Sequence, residues 1–136
     1  NVELGRVLHD PGRPLLTRVT QGEYPSATTF KLITFSAGLN TRLYTPDSLS
    51  TRKGTWNRQG DAFIKRDWRE GGHGTVSLSQ ALVVSCNSCF YDVGYTLDQT
   101  DPFILPNTAR GFGLAEPTGI EGLPEIGGTI PDPVWK

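Results

Sequence analysis

The sequence predicts a mainly helical chain with long loops and little sheet. Several short runs read as helix, the clearest from Ala27 to Leu39, where Phe30, Ile33 and Ala37 recur at three- and four-residue spacing. Sixteen glycines and ten prolines are more than a compact helical bundle needs, so the connections should be long and rich in turns. At 136 residues the chain fits one domain with a modest core.

The elements follow in order. Asn1 to Leu8 reads as a short helix, and Asp10-Pro11-Gly12-Arg13-Pro14 as a turn. Leu15 to Glu23 is expected to be extended or irregular. In the next helix, Ala27 to Leu39, Leu32 and Phe35 widen the apolar stripe towards burial on all sides; Ser26 is its expected N-cap, and Gly38 with Asn40 marks its end. Residues 40–76 are polar and turn-rich, with Ala62-Phe63-Ile64-Lys65 as a possible small strand or hairpin, and Trp56 and Trp68 expected to plug this excursion onto the body. Ser77 and Gln80 form a capping-box pattern ahead of a short apolar helix over about residues 78–86. A second helix runs roughly from Ser88 to Leu97. A third begins at Asp101-Pro102 and stops at Gly111-Phe112-Gly113, and the tail from Leu114 is irregular.

Composition excludes several classes. The 13 basic and 14 acidic residues are interspersed, with a net charge of −1, so no basic stripe points to nucleic acid. No apolar run approaches the roughly 20 residues that span a bilayer. With Asn1 first and no methionine anywhere, the chain reads as an interior excerpt.

Cys86 and Cys89 have Cys-x-x-Cys spacing. A zinc site is not expected, because there is no second cysteine pair and His9 and His73 are distant in sequence. A redox pair would want a preceding strand, whereas Ser77 to Val84 reads as helix; two buried structural thiols are the expectation. His73, in Gly-His-Gly, is expected to be structural, and Arg110 a packing or ion-pair residue. Trp56, Trp68 and Trp135 are expected in core or cover positions rather than stacked on sugars.

Two patterns carry chemistry. Thr28 and Lys31 share a face in a helix, being three residues apart. A hydroxyl at a first turn lies among unpaired backbone N–H groups, where negative charge is favoured. An amine to take the proton and N–H groups to hold an oxyanion are what an activated alcohol requires. Alone, Thr-x-x-Lys recurs by chance, and its bland reading is a solvated lysine beside a capping threonine. The second pattern, Ser85-Cys86-Asn87, supplies a Ser-x-Asn.

In context, the run from Arg13 to Pro25, followed by Thr28-Thr29-Phe30-Lys31-Leu32-Ile33-Thr34, resembles the approach to the active-site helix of penicillin-binding transpeptidases. It is most similar to the class B type within the serine β-lactamase and transpeptidase superfamily. Gly72 to Leu82 and Ser85 to Tyr91 resemble the segment around that family's second motif. Thr108 to Leu114, Thr118-Gly119-Ile120 and Glu125 to Lys136 continue the likeness in order. The third motif, Lys-Thr-Gly or Lys-Ser-Gly, occurs nowhere in the chain.

The resemblance implies the helical portion of an α/β transpeptidase fold, residues 1–136 being a partial domain cut before the third motif. It implies Lys31 as a candidate base, Ser85 as a proton relay, Asn87 as a hydrogen-bonding partner of the substrate amide, and Thr28 at the nucleophile position, where the family has serine. Ser26, five residues before Lys31, is badly placed to substitute. The implied parent reaction is D,D-transpeptidation of peptidoglycan stem peptides, with β-lactams attacked by the same group, no metal or organic cofactor, and a site on the periplasmic or outer face of the membrane. Further implied partners are the rest of the domain or a second copy. The methyl group of Thr28 crowds the attack path and restricts χ1, so this chain is expected to be inactive alone. The alternative is a catalytically dead module that binds peptidoglycan or divisome partners.

Overall fold

In the computed structural model, which describes residues 2–135, the fold is organised around one helix, α5 (Asn87–Thr100). Before it come α1 (Val2–Leu8), α2 (Arg18–Gln21), a 3-10 turn (Ala27–Phe30) and α3 (Lys31–Asn40). A polar excursion follows, with β1 (Leu49–Arg52), β2 (Thr55–Trp56), a 3-10 turn at Asp61–Phe63, β3 (Lys65–Arg66) and β4 (Gly74–Ser77). Helix α4 (Leu78–Val83) precedes α5, and α6 (Ile104–Gly111) follows it.

Helix α5 buries Cys89, Val93 and Leu97, spaced one turn apart, with Phe90 beside them. Ala37 of α3 and Leu78 and Ala81 of α4 complete the core. Leu97 is fully buried, and burying a leucine is worth about 1.5–3 kcal/mol relative to leaving it in water. Helix α4 starts as its sequence requires: the Ser77 hydroxyl accepts from the Gln80 N–H, and the Gln80 side chain accepts from the Ser77 N–H.

Strand content among the described residues is small. β1 pairs antiparallel with β4, Leu49 opposite Ser77, and β2 pairs with β3, Trp56 opposite Lys65. Part of the fastening of the excursion to α5 centres on one carboxylate and one indole. Asp92 accepts from Arg52, from Arg58 at 3.0 Å and from the Trp56 indole at 3.3 Å. Trp56 is buried against Tyr91 and Tyr95. Where the two ends of the excursion cross, Gly54 and Gly72 both have positive φ. A Cβ on Gly72 would lie 2.3 Å from the Arg52 carbonyl, which no side chain tolerates.

Several expectations are corrected. Leu15 to Glu23 contains α2, a single helical turn. Residues 27–30 are 3-10 rather than α-helical, and Ser26 itself has helical backbone angles and makes no side-chain cap. Helix α3 is not covered all round, since Leu32 is 57% exposed. Ala62 to Lys65 divides between a 3-10 turn and β3. Trp68 and Trp135 are 64% and 66% exposed, so only Trp56 is buried. Trp68 nevertheless covers His73 and donates its indole N–H to the Val84 carbonyl at 3.1 Å, tying the excursion to the end of α4 as expected. Cys86 and Cys89 are not two thiols but one disulfide. Arg110 does form an ion pair, with Asp132.

Large apolar side chains, Leu32, Val83 and Val134 among them, stand in water. Such exposure drives association. The 136-residue chain expressed by itself is therefore expected to bind a hydrophobic dye and to self-associate in sedimentation velocity runs. A dye-negative monomer would contradict this.

Candidate active site

Helix α4 ends and α5 begins within three residues, and the geometry of that junction sets the site. The Cys86 N–H bonds back to the Ala81 carbonyl and the Ser85 N–H to the Leu82 carbonyl, the paired bonds of a Schellman cap. The residue between them must be left-handed, a place usually taken by glycine. Here it is Ser85, with φ +54°. Across the cleft, Ala27, directly before Thr28, is also left-handed, with φ +47°. Non-glycine residues in this region cost of order 1–2 kcal/mol each and concentrate at functional sites.

The four sequence-predicted residues meet here. Lys31, at the start of α3 and only 8% exposed, donates to the Ser85 carbonyl at 2.8 Å, to Ser85 Oγ at 2.9 Å and to Asn87 Oδ1 at 2.6 Å. Thr28 Oγ1 lies 3.3 Å from Ser85 Oγ. In a 3-10 turn residues i and i+3 eclipse one another, so Thr28 and Lys31 stack along one edge. The Ser85 hydroxyl stands between them, bonded to both. Ser26 makes no side-chain contact with this group among the hydrogen bonds of the described residues; its carbonyl accepts from Thr29.

Burial pushes the Lys31 amine below the ordinary lysine range, while the negative charge of Asp67 partly opposes this. Thr28 and Lys31 line a cleft of about 380 Å³ with Asn87, Phe90 and Tyr91. A larger groove, about 840 Å³, opens on the other side of Ala27 and Phe30 towards Leu105 and the 126–133 segment, away from Lys31. Of the two, the smaller cleft is the one that Thr28, Lys31 and Asn87 line.

Behind Asn87 lies a buried polar cluster absent from the sequence-level expectations. Asp67 accepts from both the N–H and the hydroxyl of Ser88, each at 2.9 Å, and meets His73 Nε2 at 3.2 Å. Burial raises the Asp67 pKa, but the donors from Ser88, His73 and the Arg69 N–H outweigh it and leave the carboxyl below its usual range. His73 Nδ1 is buried with no hydrogen-bond partner among the described residues. Although sequence separation argued against a metal site, the ligand atoms of Asp67, His73 and Cys86 lie within 4.8 Å of one another. With Cys86 bonded to Cys89 there is no thiolate to offer, and an aspartate and a histidine alone fall short of a tetrahedral zinc set. The only signal in the sequence for this cluster was the polar run itself, since spacing says nothing about contacts across a long excursion.

A hydroxyl one turn from a lysine, facing a Ser-x-Asn, is the arrangement of the Ser-x-x-Lys acyl-transfer class. The chain belongs to the penicillin-binding protein transpeptidase domain family, whose model matches residues 3–136. It is 35% identical, over 98% of its length, to the peptidoglycan D,D-transpeptidase MrdA of Salmonella typhimurium, of which it spans 21%. Among solved structures, it matches PBP2 of Pseudomonas aeruginosa in complex with WCK 5153, with a TM-score of 0.86 and 29% identity, covering 99% of this chain and 30% of that one. It also matches penicillin-binding protein A of M. tuberculosis as an imipenem acyl-enzyme complex, with a TM-score of 0.82 and 28% identity, covering 99% and 31%. The mainly helical architecture with little sheet is thus part of the transpeptidase fold. No helix among the described residues is long and apolar enough to cross a membrane.

The junction yields a direct test. Ser85→Gly and Ser85→Ala both remove the hydroxyl, but only glycine relaxes the left-handed backbone. In the parent protein, Ser85→Gly should be more stable than Ser85→Ala by about 1 kcal/mol in chemical denaturation. Equal stability would mean that the positive φ carries no cost.

Proposed function

We propose that this chain supplies the first two motifs of a peptidoglycan D,D-transpeptidase domain. The observation that carries the reading is the Lys31 ammonium bonded at once to Ser85 and Asn87, residues 54 and 56 positions away in the chain. In this reading the Thr28 oxygen attacks the carbonyl carbon of the penultimate D-Ala of a stem peptide. Its proton passes through Ser85 Oγ to Lys31, whose lowered pKa makes the free amine easier to reach than in an ordinary lysine. The C–N bond to the terminal D-Ala then breaks, and that amine leaves with the proton returned through Ser85. An acceptor amine from a neighbouring strand attacks the ester, and the Thr28 oxygen regains its proton. Asn87 orients the peptide amide. A β-lactam enters the same route at its ring carbonyl, and the third motif, the remaining strands and the periplasmic placement belong to the rest of the parent.

Thr28 is the weak link. Its methyl group stands beside the attacking oxygen, and a displacement of about 1 Å can cost roughly 100-fold in rate. This residue also favours the second reading, a module that keeps the fold and peptidoglycan recognition but has lost acylation. The two are separated by labelling the parent protein with a fluorescent penicillin. Thr28→Ser should label at least about 10-fold faster than the threonine form. Equal rates would make threonine a competent nucleophile, and no labelling of either would favour the binding module.

The pH dependence has a defined sign. Acylation of the Thr28→Ser parent needs the unprotonated amine, so its rate should rise with pH. It should level off below the range where an ordinary lysine titrates, because burial lowers the Lys31 pKa. Stopped-flow rates between about pH 6 and 10 check this, and a rise that continues through the ordinary lysine range would contradict it.

A further inference from the structure

We propose that Asp67 is a positioning residue of the acyl-transfer site, its carboxylate holding the Ser85–Asn87 segment against Lys31 by gripping Ser88 from the excursion. This rests on the acyl-transfer reading above.

The geometry supports it in three ways. First, both bonds to Ser88 come from one oxygen, Asp67 Oδ2, and Ser88 directly follows Asn87. Ser88 is fully buried and the Asp67 side chain has no exposure, so water cannot replace the carboxylate. Second, the other oxygen, Oδ1, is held by His73 Nε2 at 3.2 Å, while the Asp67 N–H donates to the Gly54 carbonyl at 2.8 Å; the carboxylate is therefore fixed from behind before it grips α5. Third, the Ser88 N–H lies in the first turn of α5, where donors have no acceptor within their own helix, and Ser85, three residues earlier, sits in a backbone conformation that serine disfavours. A carboxylate there also complements the positive end of the 14-residue helix α5.

Asp67 also acts by charge. Its attraction for Lys31 opposes the effect of burial. Other titratable groups nearby are engaged or peripheral: Tyr91 lines the same cleft, His73 sits on Asp67, Asp92 on α5 is taken by Arg52 and Arg58, and Arg110 on α6 pairs with Asp132.

The test uses the full-length parent carrying Thr28→Ser, labelled with fluorescent penicillin. Failure of that background to label overturns the acyl-transfer reading itself, before Asp67 enters. In a background that labels, Asp67→Ala should slow acylation about 10- to 100-fold, the cost of a misplaced group. Asp67→Asn keeps an acceptor for the Ser88 N–H and should recover part of that loss. Loss of the charge should also move the acid limb of its rate–pH profile to lower pH, because Lys31 then gives up its proton more readily. Ser88→Ala, a smaller change that leaves the N–H in place, should slow acylation a few-fold and carries the test if Asp67→Ala does not fold. Acylation unchanged in Asp67→Asn and Ser88→Ala, or an Asp67→Asn profile that falls in rate without moving in pH, would overturn the proposal.

Discussion

The buried ammonium of Lys31 is the constraint on which the site depends. A charge removed from water costs several kcal/mol unless it is met by acceptors. Lys31 meets them only if α3 is docked against the α4–α5 junction, where the Ser85 carbonyl, Ser85 Oγ and Asn87 Oδ1 converge. Ala37 and Gly38, both buried on α3, let the helices approach closely enough for this. The polar contact and the apolar core therefore specify the same docking, and neither is satisfied without the other.

Helix α5 serves this arrangement along its whole length. Its first turn carries Asn87 and Ser88, its middle carries Asp92, and its last turns bury Leu97. Asp92 and Trp56 fasten the polar excursion to the helix, and the excursion in turn brings Asp67 back to Ser88. A segment with little apolar content is thereby held by a few directional contacts to a rigid helix. The disulfide between Cys86 and Cys89 closes the same first turn.

Two of the five left-handed non-glycine residues among the described residues lie at the candidate site. Ala27 and Ser85 are both left-handed, and they flank Thr28 and Lys31. At Ser85 the reason is clear: the Schellman cap of α4 demands that conformation, and glycine would satisfy it more cheaply but without a hydroxyl. The surrounding core has to supply the compensating stability.

By itself the sequence determined most of the helical segments, though not α2, and where the key side chains lie along them. Its apolar periodicity marked α3, and its capping box placed the start of α4 at Leu78. Thr28, Lys31, Ser85 and Asn87 could be picked out because the runs around them resemble the motifs of penicillin-binding transpeptidases, whereas Thr-x-x-Lys by itself recurs by chance. Contacts across long separations were not legible. Nothing in the order of residues said that Asp67 would grip Ser88, or that Trp56 would be buried while Trp68 covered His73 from an exposed position. Nor could helical periodicity tell a 3-10 turn at Thr28 from an α-helix, since three-residue spacing fits both. Those outcomes were decided by tertiary structure, because burial, docking and the pairing of polar groups depend on what the rest of the fold brings within a few ångströms.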